Sequence, residues 1–517
     1  MIKNKNKVIV SGQNLKIEEI ATIINNRGAI VSVSDSAIKL INSCKFFLDN
    51  NIKGKIVYGI NTGFGPMASM AIGDKQLTEL QKNLIRSHAT GIGEPIKEEY
   101  VLAAMIIRLN MLSKGYSGVS SRLVLRLRDF INHRIIPVVP EHGAVGTSGD
   151  LVQLAHIALA LIGEGEVFYN GERKKTVDVL KKLKIGKYEL EPKEGLALIN
   201  GTAIMSGIMA VNCIHAKKIL DLEIRTGGLA LEMVRAFDDS FSEVLHLLRP
   251  HEGQIYVAKT LRSLLFSSKL LRNRENYHNN EKIEEGGVCK MSECIQEVYS
   301  FRCISQILGP IYETILKTWK TVEIEINSVT DNPVIDWKNK KFLHGGNFHG
   351  DYISYAADQI KISLVKLTML SERRTNFFLH EAINKMFPPF LNINKPGLTL
   401  GLQGLQFVAT STTSQSQTLA FPQYVHSIPT NADNQDVVSM GTDSALLASK
   451  VIENAYSVLS IECVVLSQVV DILKNKNLMS SSSKDIFNFV RKFVPVVFED
   501  RVISSEIKDL ISSLKKY

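Results

Sequence analysis

The sequence predicts a mainly α-helical protein: a long helical bundle preceded by a smaller mixed α/β part. From residue 203 onward, long stretches place apolar residues three and four positions apart, as at 353–370 and 451–463. These stretches are apolar on more than one face, which is typical of helices packed in a bundle. Residues 1–200 have a mixed pattern. We therefore predict two parts, 1–200 and 201–517.

The mixed part contains two short β signals. Lys55–Tyr58 has the pattern of a strand that enters a Gly-rich turn. Glu166–Tyr169 is followed by Asn170 and Gly171, the residue pair that a type I′ hairpin turn favours. We predict a strand at the first segment and a hairpin at the second.

Two polar segments interrupt the helical part. The polar stretch Ser267–Ser292 predicts a loop, and a loop of this kind often covers a site. The short serine run at 480–483 also predicts a loop.

Composition excludes several classes of protein. The chain has 517 residues, with 61 Lys plus Arg against 52 Asp plus Glu, and these basic residues are spread along it rather than gathered in one stripe. That distribution argues against nucleic-acid binding. No apolar run approaches the ~18 residues of a membrane span, and the first residues do not resemble a secretory signal. We therefore expect a cytoplasmic protein that binds neither membranes nor nucleic acid.

The cysteines and histidines indicate neither a disulfide framework nor a metal site. The six cysteines contain no CxxC pair, and the twelve histidines contain no HExxH motif. We therefore expect no metal.

The segment Glu141–Leu151 is the most informative part of the chain. Three glycines in seven residues separate a strand-like run from a helix-like one, so a tight turn is expected. The plainest interpretation is a strand-to-helix connection with polar caps. A second interpretation is chemical. If the Gly149 nitrogen is pressed against the Thr147 carbonyl, the backbone can cyclise and Ser148 can lose water, which gives the electrophile 4-methylidene-imidazol-5-one (MIO).

The pattern VGTSGDLVQLAH resembles the signature of the aromatic amino acid ammonia-lyase family, which includes histidine, phenylalanine and tyrosine ammonia-lyases and related aminomutases. The usual family triplet is Ala-Ser-Gly, and here Thr147 replaces the alanine. Ser148 and Gly149, which do the chemistry, are present. The resemblance therefore implies an MIO cofactor made from Thr147-Ser148-Gly149. Matching segments run in family order from about Val57 to about Met440.

The resemblance implies catalytic roles for three further residues. Tyr58, in YGINTGFG, corresponds to the catalytic base, although alone it would be expected to be a packed aromatic residue. Asn200, in ALINGT, corresponds to the asparagine that contacts the cofactor. Asn200 and Tyr299 are expected to stabilise the charge that develops on the cofactor oxygen.

Other family segments imply substrate contacts. QEVYSFRC supplies Gln296 and Arg302, and a planar guanidinium can bind a carboxylate through two parallel hydrogen bonds. By residue type alone, a surface salt bridge is the favoured interpretation of Arg302. Asn332, in a DNP segment, is expected near the carboxylate, and Phe348, in GGNFH, beside the electrophile. DNP and GGN are also ordinary turn sequences.

Two positions bear on substrate choice, and they disagree. Ser87-His88 matches the pair found in histidine ammonia-lyases, and His88 could hydrogen-bond an imidazole or a phenol. Histidine ammonia-lyases carry a glutamate where this chain has Gln435, whereas the aromatic lyases carry glutamine. The chain as a whole most resembles bacterial tyrosine ammonia-lyases. We therefore expect L-tyrosine as substrate and 4-coumarate as product.

Three alternatives stay open at this stage. L-Histidine, converted to urocanate, is the alternative substrate. A 2,3-aminomutase would return ammonia at the β-carbon, and a non-catalytic helical scaffold would bind an aromatic amino acid without turnover. The resemblance also implies a homotetramer in which each site is built from more than one subunit.

Overall fold

The computed structural model describes residues 7–276, 287–288 and 295–517, and it confirms a mainly helical protein. Two compact units can be distinguished. The first comprises Met1–Ile214, Thr318–Asp358 and Pro422–Ser449, and the second comprises His215–Lys317, Gln359–Phe421 and Lys450–Tyr517. Each unit gathers segments that are distant in sequence. The division of the sequence into two continuous parts, 1–200 and 201–517, stays a prediction.

Helices of the first unit follow the apolar periodicity. Ile17, Ile20 and Ile23 lie on one face of the helix Ile17–Asn25 and are buried. The helix Glu98–Ser113 is buried on all sides from Tyr100 onward, so it forms the centre of this unit. The helices that lie wholly in this unit are Ile17–Asn25, Asp35–Asn51, Leu77–His88, Glu98–Ser113, Ser121–Asn132, Leu151–Leu161, Thr176–Lys182 and Glu194–Ile199, with 3₁₀ turns at Gly65–Ser69 and Asp74–Gln76.

The strands described all belong to the first unit and form small sheets. The hairpin predicted at Glu166–Tyr169 is confirmed. Its partner is Glu172–Lys175, and Asn170 and Gly171 have φ of 54° and 79°, as a type I′ turn requires. The other pairs are Lys7–Val10 with Ile30–Val33 (parallel), and Ile92–Pro95 with Pro140–His142, Ile136–Pro137 with Glu166–Tyr169, and Val334–Asp336 with Lys341–Leu343 (all antiparallel).

The second unit is helical wherever regular structure is described. Its helices are Glu243–Leu247, Glu252–Leu265, Tyr299–Arg302, Glu381–Asn384, Gln403–Leu419, Ser481–Val490 and Ser504–Leu514, with 3₁₀ turns at Asp238–Phe241, Arg274–Asn276, Pro389–Leu391 and Lys476–Leu478. The longest helices contribute residues to both units; these are Ala203–Met233, Ile304–Glu325, Asp351–Leu379 and Gly441–Leu473.

Two of the longest helices are long and apolar enough to cross a membrane by length and composition alone. In Ala203–Met233 and Gly441–Leu473, however, 78% of the most apolar window is buried within the protein. Burial of this extent is typical of helices in the core of a protein. The periodic stretches at 353–370 and 451–463 lie inside Asp351–Leu379 and Gly441–Leu473, as the sequence predicts.

The strand predicted at Lys55–Tyr58 is wrong, because this segment is not extended in a sheet and pairs with none of the described strands. The side chain of Asn61 takes the place of a partner strand. Its Oδ1 accepts a hydrogen bond from Val57 N (2.8 Å), and its Nδ2 donates to Lys55 O (2.8 Å). A local side chain can compete with strand pairing in this way.

The loop predicted at 480–483 is also wrong, because the serine run begins a helix. Ser480 is the N-cap of Ser481–Val490, and its hydroxyl accepts a hydrogen bond from Ser483 N (3.2 Å). Of the loop predicted at Ser267–Ser292, residues 277–286 and 289–292 lie outside the described part of the chain.

A fully buried charge cluster lies in the second unit. Arg374 donates to both carboxylate oxygens of Glu462 (2.5 and 3.0 Å) and also to Glu223, and Ser371 donates to Glu462 (2.6 Å). None of the three charged side chains is exposed. Burial raises the pKa of Glu223, against the opposing effect of Arg374. A buried guanidinium between two carboxylates is costly to disrupt, because removing it leaves unpaired charge in the interior.

We predict that Arg374→Met lowers the free energy of unfolding by about 3–5 kcal/mol, because it leaves Glu223 and Glu462 without their cation. Arg173→Met is the control. The Arg173 side chain is 52% exposed and that of its partner Glu166 is 45% exposed, so loss of this surface pair should cost less than about 1 kcal/mol. Thermal unfolding of both variants checks this. Equal unfolding midpoints would contradict a structural role for the cluster.

Candidate active site

A cavity of about 520 Å³ in the first unit collects most of the residues singled out in the sequence. Its lining comes from the segment 58–67, the helix Leu77–His88, the Gly-rich loop 143–152, residues 196–200 and the turn 430–435. The predicted site residues that line it are Tyr58, Ser87, His88, Thr147, Ser148, Gly149, Asn200 and Gln435.

At Gly149 the Gly-rich loop approaches another backbone segment very closely. Gly149 has φ of 74°, and a Cβ at this position would lie 2.0 Å from the Gly201 carbonyl oxygen. Two hydrogen bonds join the segments: Gly201 N donates to Ser148 O (3.0 Å), and Asp150 N donates to Gly201 O (2.9 Å). Both the conformation and the space therefore require glycine at 149.

The Asp150 side chain anchors the end of the Gly-rich loop in the protein interior. Its carboxylate is buried and accepts hydrogen bonds from Ile204 N (2.8 Å), Met205 N (3.1 Å) and the Thr442 hydroxyl (2.5 Å). Burial raises the pKa of Asp150 to about 6, and these hydrogen bonds oppose that rise. The carboxylate also lies at the N-terminus of Ala203–Met233, where a helix favours negative charge. The end of the loop is thereby fixed in the core of the unit.

Asn200 follows the helix Glu194–Ile199 and lines the cavity. Its backbone carbonyl accepts a hydrogen bond from Arg108 Nη1 (2.8 Å), which holds the segment in place. Arg108 is fully buried, and burial lowers its pKa to about 10, against the effect of nearby Asp331 and Asp150. The buried Asn200 Oδ1 has no hydrogen-bond partner among the described residues. A buried polar atom of this kind indicates a missing partner.

Tyr58 is half-buried at one wall of the cavity. Its hydroxyl oxygen accepts a hydrogen bond from Gly65 N (3.3 Å). The rings of Phe64 and His344 both lie edge-on to Tyr58, with centroids 6.4 Å away. The phenol is thus held by its own loop, and a backbone N–H faces the atom that would carry charge after proton removal.

His88 ends the helix Leu77–His88 and offers one ring nitrogen as an acceptor. Its Nδ1 lies 2.9 Å from Leu84 O and 3.1 Å from Ser87 Oγ. Because a carbonyl oxygen can only accept, the neutral ring carries its proton on Nδ1. The lone pair is then on Nε2, so His88 can accept a hydrogen bond from a ligand.

Gln435 also lines the cavity. Its Nε2 donates to Ser148 Oγ (3.4 Å), and its Oε1 accepts from the Thr430 hydroxyl (3.0 Å). The amide therefore presents a donor to the loop that bears Ser148. Of these two side chains, His88 thus offers an acceptor and Gln435 a donor.

Two predicted residues of the first unit do not line the cavity. Asn332 Oδ1 accepts from Gly345 N (3.0 Å), so the DNP and GGN segments are joined, but neither Asn332 nor the half-buried Phe348 is among the cavity residues. Their roles at the substrate stay predictions.

Three predicted residues belong to the second unit. Tyr299 is 68% exposed, and Gln296 is also exposed. The Arg302 guanidinium lies 4.9 Å from the centre of the Tyr299 ring, and its Nε donates a hydrogen bond to Glu297 O (3.3 Å). Their substrate contacts also stay predictions.

Sequence reasoning missed one face of the helix Leu77–His88. Leu80, Asn83 and Leu84 line the cavity together with Ser87 and His88. They stand at positions i, i+3, i+4, i+7 and i+8, the spacing of one helical face, so this periodicity could have revealed them. Thr430 was missed as well, because a lone threonine in a polar loop carries no distinct signal.

Known proteins are similar to this chain over most of its length. A family model described as aromatic amino acid lyase matches residues 15–492. The histidine ammonia-lyase of Caldanaerobacter subterraneus subsp. tengcongensis is 37% identical over 511 residues, which cover 98% of this chain and 97% of that protein.

Solved structures agree in fold. Tyrosine aminomutase from Streptomyces globisporus superposes with a TM-score of 0.93 at 34% identity, covering 99% of this chain and 97% of that one. Histidine ammonia-lyase from Trypanosoma cruzi gives 0.88 at 33% identity, covering 99% and 93%. These similarities indicate a carbon–nitrogen lyase. The chain belongs to the aromatic amino acid ammonia-lyase family.

We predict that Gly149→Ala lowers the free energy of unfolding by more than about 2 kcal/mol, because the new methyl group would collide with the Gly201 carbonyl. Gly171→Ala is the control, since Gly171 has a similar φ of 79° but open space around it, and only the backbone cost of about 1 kcal/mol applies. Thermal unfolding distinguishes the two. Equal losses would mean that the close approach does not constrain the loop.

Proposed function

We propose that this protein is an ammonia-lyase that converts L-histidine to urocanate and ammonia. The proposal rests on relatives 37% identical over 98% of the chain that are named histidine ammonia-lyase. These names do not support the tyrosine specificity expected from the sequence, and they favour its alternative. The observation that carries the proposal is the pairing of an acceptor, His88 Nε2, with a donor, Gln435 Nε2.

A neutral imidazole ring has the matching pair of groups. One ring nitrogen donates and the other accepts, so the ring could donate to His88 and accept from Gln435 at once. Histidine ammonia-lyases carry a glutamate at the position of Gln435. The amide here would select the unprotonated ring, whereas a carboxylate would also bind the imidazolium.

We also propose that Thr147-Ser148-Gly149 forms MIO. The loop geometry fits this cofactor, because Gly149 is free of a side chain and Asn200 Oδ1 lies buried without a partner among the described residues. Once formed, MIO supplies an electrophilic methylidene carbon that no amino-acid side chain offers. Thr147 in place of alanine changes only the group attached to the ring.

The remaining residues would bind the substrate and move its proton. Tyr58, as the phenolate, would remove the β-proton and become a neutral phenol, and the Gly65 N–H would stabilise the negative charge that the oxygen carries before this step. Arg302 would bind the substrate carboxylate, with Gln296 and Asn332 nearby. Tyr299 would assist at the cofactor, and Phe348 would pack beside it.

A second candidate substrate is L-tyrosine, with lyase or aminomutase chemistry. Gln435 is the observation that favours it, because a neutral amide suits a phenol hydroxyl at least as well as an imidazole. The structural similarity to an enzyme named tyrosine aminomutase also supports it.

We further propose a cytoplasmic homotetramer with shared active sites. Exposed apolar side chains on the helix Gln403–Leu419 support the presence of a subunit contact, since Phe407 and Val408 are 63% and 50% exposed. A second copy of the chain would cover such a surface.

The direct test is turnover of L-histidine, L-tyrosine and L-phenylalanine, followed by ultraviolet absorbance of the conjugated acid and by released ammonia. We expect kcat/KM for L-histidine to exceed that for L-tyrosine by about tenfold or more, the discrimination that a buried polar pair gives. A preference for L-tyrosine would refute the proposed substrate. A β-amino acid product on chiral analysis would indicate an aminomutase.

Gln435→Glu is the control for the role of the amide. With wild type, kcat/KM for L-histidine should rise with pH through the pKa of the substrate ring, near ~6.5, because only the neutral ring can accept from Gln435. In Gln435→Glu the carboxylate would also bind the imidazolium, so this rise should become smaller. Superimposable pH profiles would contradict contact between Gln435 and the ring.

A further inference from the structure

We propose that Thr430 is a positioning residue that anchors the Gln435 carboxamide at the cavity wall and thereby helps to set substrate selectivity. The inference deepens the proposed function and rests on it. Thr430 was absent from the sequence-based site. It lines the cavity, and its hydroxyl donates to Gln435 Oε1 at 3.0 Å.

A glutamine side chain rotates about several single bonds, so its carboxamide needs an anchor to stay in one place. A hydroxyl both donates and accepts, so Thr430 can hold the amide in either of its orientations. In the structure the Thr430 hydroxyl donates to Gln435 Oε1, and the amide nitrogen lies 3.4 Å from Ser148 Oγ. The hydroxyl thus anchors the carboxamide beside the site.

The turn that carries both residues is built at a conformational cost. Asn431, Ala432 and Asp433 all lie in the left-handed region, with φ of 57°, 53° and 59°. Residues other than glycine rarely adopt this region. The turn closes with Thr430 N donating to Gln435 O (3.1 Å) and Gln435 N donating to Thr430 O (3.4 Å).

The same turn also packs against the loop of the proposed base. A Cβ at Gly65 would lie 2.6 Å from both polar atoms of the Asn431 side chain, so the two segments are in close contact. Gly65 is the residue whose N–H faces Tyr58. The strained turn is thus held from outside as well as by its own hydrogen bonds. Strained backbone of this kind persists where its surroundings hold it, commonly at functional sites.

The consequence is a specific role for one hydroxyl group. Without it, the carboxamide would lose its anchor and could rotate away from the substrate. A substrate that hydrogen-bonds to the amide would then lose affinity, whereas a substrate with an apolar ring would not depend on the anchor.

The test compares Thr430→Val, which removes the hydroxyl and keeps the shape, with Thr430→Ser, which keeps the hydroxyl. We expect Thr430→Val to lower kcat/KM for L-histidine about tenfold, the effect of one lost hydrogen bond. L-Phenylalanine, as substrate or competitive inhibitor, should change less than about threefold, because its ring has no polar group. Thr430→Ser should restore the histidine value.

Thr22→Val is the matched control, because the half-buried Thr22 does not line the cavity and its hydroxyl donates to Glu18 O within its own helix, Ile17–Asn25. It should leave both substrates unaffected. Equal losses for L-histidine and L-phenylalanine in Thr430→Val would mean a structural role and would overturn the proposal. Failure of Thr430→Ser to restore activity would also overturn it.

The proposal can fail separately from the proposed function. If wild type prefers L-tyrosine, the substrate assignment fails, and the same comparison is made between L-tyrosine and L-phenylalanine. If none of these amino acids is turned over, a crystal structure of Thr430→Val decides. A Gln435 amide still directed at position 148 would overturn the role of Thr430, and a rotated amide would support it.

Discussion

The close approach of Gly149 to the Gly201 carbonyl is the constraint on which the site depends. A residue with a side chain cannot occupy position 149 there, and the two segments are joined by hydrogen bonds on either side of the contact. The contact sets Ser148 toward the cavity and places Asn200, the neighbour of Gly201, beside it. Asp150 and Arg108 then fix the two segments from the interior, each by hydrogen bonds to backbone atoms.

Around this contact, each wall of the cavity supplies different functional groups. Tyr58, held by its own loop, supplies a phenol oxygen, while the helix Leu77–His88 supplies a face on which Leu80 and Leu84 lie beside polar side chains and which ends in His88. The turn 430–435 supplies Thr430 and Gln435. The His88 ring and the Gln435 carboxamide are each held by hydrogen bonds to neighbouring residues, so we expect selectivity to depend on those neighbours as well as on the two residues themselves.

Periodicity in the sequence was sufficient to predict the long helices, because a buried helix needs apolar residues at regular spacing. The hairpin at Asn170-Gly171 was predictable for a similar reason, since few residue pairs suit its turn. The strand at Lys55–Tyr58 was not, because the Asn61 side chain bonds the backbone that a strand would have paired. The serine run at 480 was misassigned because a capping serine and a loop serine look alike in sequence.

Within the site, family motifs identified residues of the Gly-rich loop and of the loop around Tyr58. They did not identify Thr430, whose importance arises from a left-handed turn that brings it opposite Gln435. No glycine marks that turn, so composition gave no warning of it. Asn332, Phe348, Gln296, Tyr299 and Arg302 stay predictions, because their proposed partners are substrate and cofactor atoms.

The central claim is that the loop at Gly149 is shaped to cyclise. Attack of the Gly149 nitrogen on the Thr147 carbonyl carbon, with loss of water, closes a ring, and loss of the Ser148 hydroxyl and α-hydrogen as a second water completes the methylidene group. The direct measurement is the mass of the intact protein and of its peptide containing residues 147–149. We predict that wild type is lighter than its sequence by two water molecules, located in that peptide, and that Ser148→Ala does not lose the second. A wild-type protein with its full sequence mass would contradict the account.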